Sequence, residues 1–137
     1  MQKEFKQNKS VPERIADYFE FSKHKTNYRT EILAGVSTFV ALAYIFVVNP
    51  SILSEAGINK SAVLFATIVA SGLATLLMGL WAKKPFVLAP GMEMNSYVAF
   101  FVVLVLGFTW QEALGAVFWS GIIFFVLTLT GFRKKII

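Results

Sequence analysis

Four long stretches of this chain carry no charged residue: residues 32–54, 61–82, 94–111 and 113–132. A helix rises about 1.5 Å per residue, so roughly 18 to 20 apolar residues cross the ~30 Å hydrocarbon core of a bilayer. Each stretch is near or above that length. A soluble helix bundle is the competing solution, yet a 137-residue soluble protein has no room to hide four helices that are apolar all round. The expected fold class is therefore an all-α integral membrane protein with four membrane segments, at about residues 31–48, 62–82, 85–108 and 113–130. Residues 31–137 would form the transmembrane domain and residues 1–30 a tail.

The formal net charge of +5 invites a nucleic-acid reading, but the placement of the basic residues points to membrane topology instead. Lys3, Lys6, Lys9, Arg14, Lys23, Lys25 and Arg29 precede the first segment, Lys83 and Lys84 lie between the second and third, and Arg133, Lys134 and Lys135 follow the fourth. Only Lys60 falls on the other side. With four crossings the excess of Lys and Arg in cytoplasmic loops puts 12 of the 13 basic residues, and both termini, in the cytoplasm. Trp81, beside Lys83 and Lys84, marks the inner interface, and Trp110 the outer one. The first apolar run begins only at Ile32 and no small-residue cleavage site follows a short apolar core, so this run is expected to stay in the mature protein rather than act as a cleaved signal.

Local signals divide the chain further. Residues 1–9 are polar and expected to be disordered. Ser10-Val11-Pro12-Glu13 then reads as a helix start, with Ser10 as N-cap, Glu13 at the capping-box position and Pro12 in the first turn. Val11, Ile15, Tyr18, Phe19 and Ser22 recur at helical spacing opposite Glu13, Arg14, Asp17 and Glu20. The result is a short amphipathic helix, suited to the cytoplasmic membrane face or to packing on another part of a larger protein. His24, in a Lys-rich loop, reads as a solvated residue. The first segment is expected to stop at Asn49-Pro50, because proline cannot continue the hydrogen-bond ladder. Gly57 is a natural helix terminator in the loop that follows. In the second segment Ala62, Ala66, Ala70 and Ala74 recur at intervals of four, with Ser71, Thr75 and Gly79 beside them, which suits close helix approach in lipid. Thr109 and Glu112 form a capping box for the fourth segment, whose Trp119 lies too deep for the interface and is expected to pack between helices.

The third segment opens differently. Residues 85–95 read Pro-Phe-Val-Leu-Ala-Pro-Gly-Met-Glu-Met-Asn, a polar and helix-breaking patch where hydrocarbon tolerates no idle polar group. Pro90 steers Ala89 towards extended geometry and Gly91 adds backbone freedom. Five extended residues at ~3.3 Å and eleven helical ones at ~1.5 Å each rise about 16 Å, so a short extended stretch followed by a half-helix meets near the midplane. A half-helix N-terminus at that depth has amide protons without intrahelical partners and favours a hydrogen-bond-accepting ligand. Asn95 offers a donor and an acceptor suited to the edge of a heterocycle or an amide. Glu93, costing about 2.5 to 3.5 kcal/mol to place ionised at the midplane, reads either as a proton-linked or ligand-contacting carboxylate or as a cap for the half-helix. With a single His, no Cys and scattered carboxylates, no catalytic or metal constellation is seen, no cofactor is expected, and no phosphate-cradling glycine loop is present. The chain reads as a non-enzyme.

At this point the residues carry a resemblance. Arg-Thr-Glu-Ile-Leu-Ala-Gly-Val-Ser-Thr-Phe-Val-Ala-Leu-Ala-Tyr-Ile-Phe-Val-Val-Asn-Pro at residues 29–50, Ala89-Pro90-Gly91-Met92 with Asn95, and residues 107–115 resemble the N-terminal part of nucleobase-cation symporters, in the azaguanine/hypoxanthine-type purine permease branch. The resemblance spans residues 13–137. It implies two inverted seven-segment repeats, with purine bound where short strands of the third and tenth segments meet, and with uptake coupled to protons. It places Asn95, Gly91, Met92 and Glu93 at the purine site, although many relatives have glycine where this chain has Glu93. It makes the implied partners a purine nucleobase, a proton and the lipid bilayer of the plasma membrane, and leaves a homodimer open. A chain ending after four segments would be a partial inverted-repeat transporter, expected not to transport alone. A different class, a non-transporting four-helix membrane scaffold or anchor, suits the small-residue stripe equally well.

Overall fold

In the computed structural model, residues 10–130 are described and, among them, every regular element is helical. The expected polar tail at residues 1–9 and the basic end at 131–137 lie outside the described residues. In chain order the elements are α1 (Val11–Tyr18), α2 (Phe21–His24), α3 (Tyr28–Leu42), α4 (Ile45–Glu55), α5 (Lys60–Leu80), α6 (Met92–Ser96), a π-type helix (Tyr97–Val105) that continues α6, and α7 (Trp110–Leu129). Three helices are long and apolar enough to cross a membrane: Tyr28–Glu55, which joins α3 and α4, then Lys60–Leu80 and Trp110–Leu129. The third apolar run supplies only the shorter helix Met92–Val105.

Each start and stop follows from a local hydrogen bond. The Ser10 N–H donates to Glu13 Oε2 at 2.8 Å, closing one half of the expected capping box. Asn27 and Asn59 cap α3 and α5 by accepting from Thr30 N–H at 3.0 Å and Ala62 N–H at 3.1 Å. Gly57, at φ +82°, ends α4 in the left-handed conformation that glycine adopts without strain. Thr109 N–H donates to Glu112 Oε2 at 2.9 Å at the start of α7. α1 is not left loose: Tyr18 Oη donates to the Leu80 C=O at 2.5 Å, one of the carbonyls that the end of α5 leaves without an intrahelical partner, and Lys83 Nζ lies 4.1 Å over the Tyr18 ring.

The expected stop at Asn49-Pro50 is corrected. The helix runs through Pro50 to Glu55, and its ladder instead tightens seven to six residues earlier, where Ala43 N–H bonds Val40 C=O at 3.3 Å and Phe46 N–H bonds Ala43 C=O at 3.2 Å. Two conditions let α4 absorb the proline. Asn49 and Pro50 are both buried, so packing holds them, and the Ser51 hydroxyl donates to Val47 C=O at 2.8 Å beside the break. The half-helix after Asn95 also departs from regular α geometry. It widens, and Leu106 N–H reaches back five residues to Phe101 C=O at 2.9 Å before Gly107 turns at φ +77°.

The core is small and sits where α4, α5, the π-type helix and α7 meet: Ile45, Val63, Val98, Ala99 and Ala113 are buried, together with the polar Asn49 and Thr67. The face of α5 that turns inward carries Val63 and Thr67, whereas Ala62, Ala66 and Ala70 of the expected alanine stripe are exposed. The hydroxyls decide this orientation because they find partners across the helix pair and alanine has none to offer. Trp119, expected between helices, is 63% exposed within this chain and touches the ring of its neighbour Phe118.

Residues 83–91 form no helix and, among the described residues, no strand. Their backbone is held by a side chain instead. Leu88 N–H donates to Thr75 Oγ1 at 3.0 Å, and the same hydroxyl lies 3.4 Å from Leu88 C=O. Thr75 thus does for Leu88 what a neighbouring strand would do, from the inner face of α5. Thr75→Val keeps the side-chain shape but leaves the Leu88 amide without that acceptor, at a cost of about 0.5 to 1.5 kcal/mol. The expected result is faster amide hydrogen exchange at Leu88 and a lower unfolding midpoint in detergent, both retained near wild type by Thr75→Ser. Unchanged exchange at Leu88 in the valine variant would contradict this assignment.

Candidate functional site

Pro90 and Gly91 set the entry to the third helix. Gly91 takes extended geometry (φ −74°, ψ 115°) as N-cap of α6, and its carbonyl accepts the first intrahelical bond, from Asn95 N–H at 3.2 Å. The four residues expected to bind ligand are thereby brought onto one turn, but they face different surroundings. Gly91 and Glu93 are exposed, Met92 and Asn95 half-buried. Glu93 makes no hydrogen bond or ion pair with any described residue, and it does not cap the α6 amides. Outside the apolar helices, the Glu20 carboxyl is held below its ordinary value, first by its hydrogen bond from Lys23 Nζ at 2.6 Å, and it lies apart from this turn.

Asn95 is the residue that ties the turn to the rest of the fold. Its Nδ2 donates to Asn49 Oδ1 at 2.5 Å, Asn49 Nδ2 donates to Thr67 Oγ1 at 2.8 Å, and Thr67 Oγ1 donates to Val63 C=O at 2.7 Å. This chain of hydrogen bonds runs from α6 through α4 into α5. Asn49 is 2% exposed and Thr67 4%, so its inner links are shielded from water.

Asn49 and Thr67 are the participants that reading the sequence missed. Asn49 was read only as the residue before a helix-ending proline. The signal that finds both is general: a carboxamide or hydroxyl in the middle of an apolar run needs a partner, and the partner belongs to another helix.

Two cavities lie nearby. One of about 450 Å³ is lined by Phe39, Phe46, Ser71, Leu88 and Ala89, and one of about 240 Å³ by Glu31, Thr38, Thr75, Lys84 and Phe86. Neither is lined by Gly91, Met92, Glu93 or Asn95, so the expected ligand residues lie outside both cavities. Among the described residues no group of three or more His, Cys, Asp or Glu side chains converges to hold a metal ion.

Comparison with known proteins gives this geometry its context. A permease from Methanocaldococcus jannaschii is 54% identical over 122 residues, 89% of this chain and 28% of that protein. The guanine/hypoxanthine permease PbuO from Bacillus subtilis is 45% identical over 87% of the chain and 28% of its own length, and the adenine permease AdeQ from Escherichia coli 40% identical over 87% and 27%. The chain thus spans less than a third of the length of these relatives. No solved structure gives a significant match. The model of the Permease family matches residues 29–137, from the start of α3 onward, and includes every residue of the Asn95–Asn49–Thr67 chain. On that match, the chain belongs to the Permease family.

Proposed function

We propose that these residues are the N-terminal part of a proton-coupled permease for purine nucleobases of the adenine, guanine and hypoxanthine class, and that they form one wall of its purine site. The observation that carries this reading is the turn of residues 91–95: it begins at a break in an apolar run, and its Asn95 is wired to two neighbouring helices by a half-buried hydrogen bond to Asn49 and a buried one from Asn49 to Thr67. A carboxamide held in that way suits the edge of a heterocycle, which offers hydrogen-bonding groups in a fixed plane. The purine-specific names of the relatives support the substrate class. In this reading the third apolar run crosses the membrane as a fourth, interrupted segment in which residues 83–91 and the helix Met92–Val105 share the path. Gly91 and Met92 offer backbone to the ligand, and Glu93 is the proton-linked carboxylate. The family match favours this reading over a non-transporting scaffold. A wall alone does not alternate access, so transport belongs to the complete permease and not to residues 1–137 by themselves.

The test is uptake of labelled hypoxanthine, guanine and adenine by the complete permease that carries these residues. Asn95→Ala is expected to lower uptake of at least one of them by about tenfold or more, the scale of one lost charge-free hydrogen bond plus lost orientation. Unchanged uptake would remove Asn95 from the site. The proposed topology, with both termini in the cytoplasm, is open to a background-free check because the chain has no cysteine. In plasma-membrane cells, Lys60→Cys is expected to react with a membrane-impermeant maleimide from outside and Lys84→Cys only after permeabilisation; the reverse pattern would overturn the orientation.

A further inference from the structure

The hydrogen-bond chain through Asn49 has only one consistent polarity, and that polarity has a consequence for the ligand. The Thr67 hydroxyl has a single proton, and it lies 2.7 Å from the Val63 carbonyl, which can only accept. Thr67 Oγ1 is therefore left as an acceptor towards Asn49, 2.8 Å away, so Asn49 must turn its Nδ2 to Thr67 and its Oδ1 to Asn95. Asn95 must then meet Asn49 with its own Nδ2. Carboxamide orientation is otherwise a matter of assignment, but here a backbone carbonyl fixes it through two intervening side chains. Turning either amide would set acceptor against acceptor or donor against donor. Asn49 and Thr67 are 2% and 4% exposed, so a mismatch between them would leave buried polar groups unpaired.

We infer that Asn49 and Thr67 are positioning residues that lock the Asn95 carboxamide with its Oδ1 turned away from Asn49, so that this position recognises a nucleobase through a ring N–H donor. The inference rests on the proposed purine site and adds to it the hydrogen-bond sense of one contact. Asn95 Oδ1 has no donor among the described residues, and Asn95 is half-buried, so its carbonyl is the acceptor on offer beside the second Nδ2 proton. Neither Asn49 nor Thr67 touches the ligand in this account.

The experiment compares hypoxanthine with 1-, 7- and 9-methylhypoxanthine as competitors of labelled hypoxanthine uptake by the complete permease, normalised to its abundance in the membrane. Methylation at N1 removes one ring N–H, and methylation at N7 or at N9 removes the other, the imidazole proton shared by those two nitrogens. The methyl bulk is common to all protein variants, so the change in discrimination between variants reports the hydrogen bond. In the wild type either 1-methylhypoxanthine alone or both the 7- and 9-methyl derivatives are expected to compete about tenfold more weakly than hypoxanthine. Thr67→Val, which removes the fixed acceptor, is expected to shrink that ratio to about two- or threefold. Thr67→Ser, which restores the hydroxyl, should return it. Asn49→Leu breaks the same chain at a second point and should shrink the ratio likewise, which keeps the test decisive if the valine variant does not reach the membrane. A purely structural role for Thr67 would change uptake equally for all four compounds and leave the ratio intact. If Asn95→Ala destroys the discrimination but Thr67→Val and Asn49→Leu preserve it, the positioning inference is overturned while the purine site stands. If Asn95→Ala preserves it, or the wild type takes up no nucleobase, the site reading falls and this inference with it.

Discussion

A half-buried amide-to-amide hydrogen bond between residues 49 and 95 is the contact on which this fold turns. Lipid tails are as apolar as leucine, so helices in a membrane gain little by hiding apolar surface from them, and association depends on close packing and on hydrogen bonds between helices. Here the packed core is a handful of side chains, and large aromatic residues such as Phe65, Phe118 and Phe124 stay exposed within the chain. The polar contacts therefore decide which faces meet. Asn49 sits at the centre, accepting from Asn95 and donating to Thr67, and it holds the start of the third apolar run against the first two helices.

α5 acts as the template for that run. Thr67 and Thr75 are eight residues apart, about 12 Å along one face of a helix. The first supports Asn95 through Asn49, and the second holds Leu88 directly. Residues 83–91 and the helix that follows are thus fixed at two points by hydroxyls of the same helix face, without any strand pairing. Ser71 lies between them on that face, lines the larger cavity, and its buried Oγ has no hydrogen-bond partner among the described residues. A polar face of this kind in an apolar helix holds its neighbours through hydrogen bonds.

What could be read from the sequence was whatever depends on neighbours along the chain. The capping carboxylates Glu13 and Glu112, and the left-handed Gly57, follow from hydrogen bonds spanning three or four residues, and residue type alone specifies them. The length of the apolar runs gave three of the four expected membrane helices for the same reason, the third run supplying only the shorter helix Met92–Val105. The path through Pro50 was not legible, because a proline's local tendency to end a helix is overridden by burial and by a hydroxyl one residue later. The inward face of α5 was not legible either. Alanine spacing and hydroxyl spacing are both present in residues 62–79, and only the positions of Asn49 and Leu88 choose between them. Of the candidate site, Asn95 and the break before it stood out as polar groups in hydrocarbon, whereas its pairing with Asn49, 46 residues away, is a property of the packed helices.

The central claim is that Asn49 and Asn95 are energetically coupled. A double-mutant cycle with Asn49→Leu, Asn95→Leu and the double variant, read as unfolding free energy in detergent or bilayer, measures that coupling directly. The account predicts a non-additive term of about 0.6 to 1.7 kcal/mol, between the average and the largest value found for hydrogen bonds between membrane helices. Single-variant losses that add to within about 0.3 to 0.5 kcal/mol would contradict it.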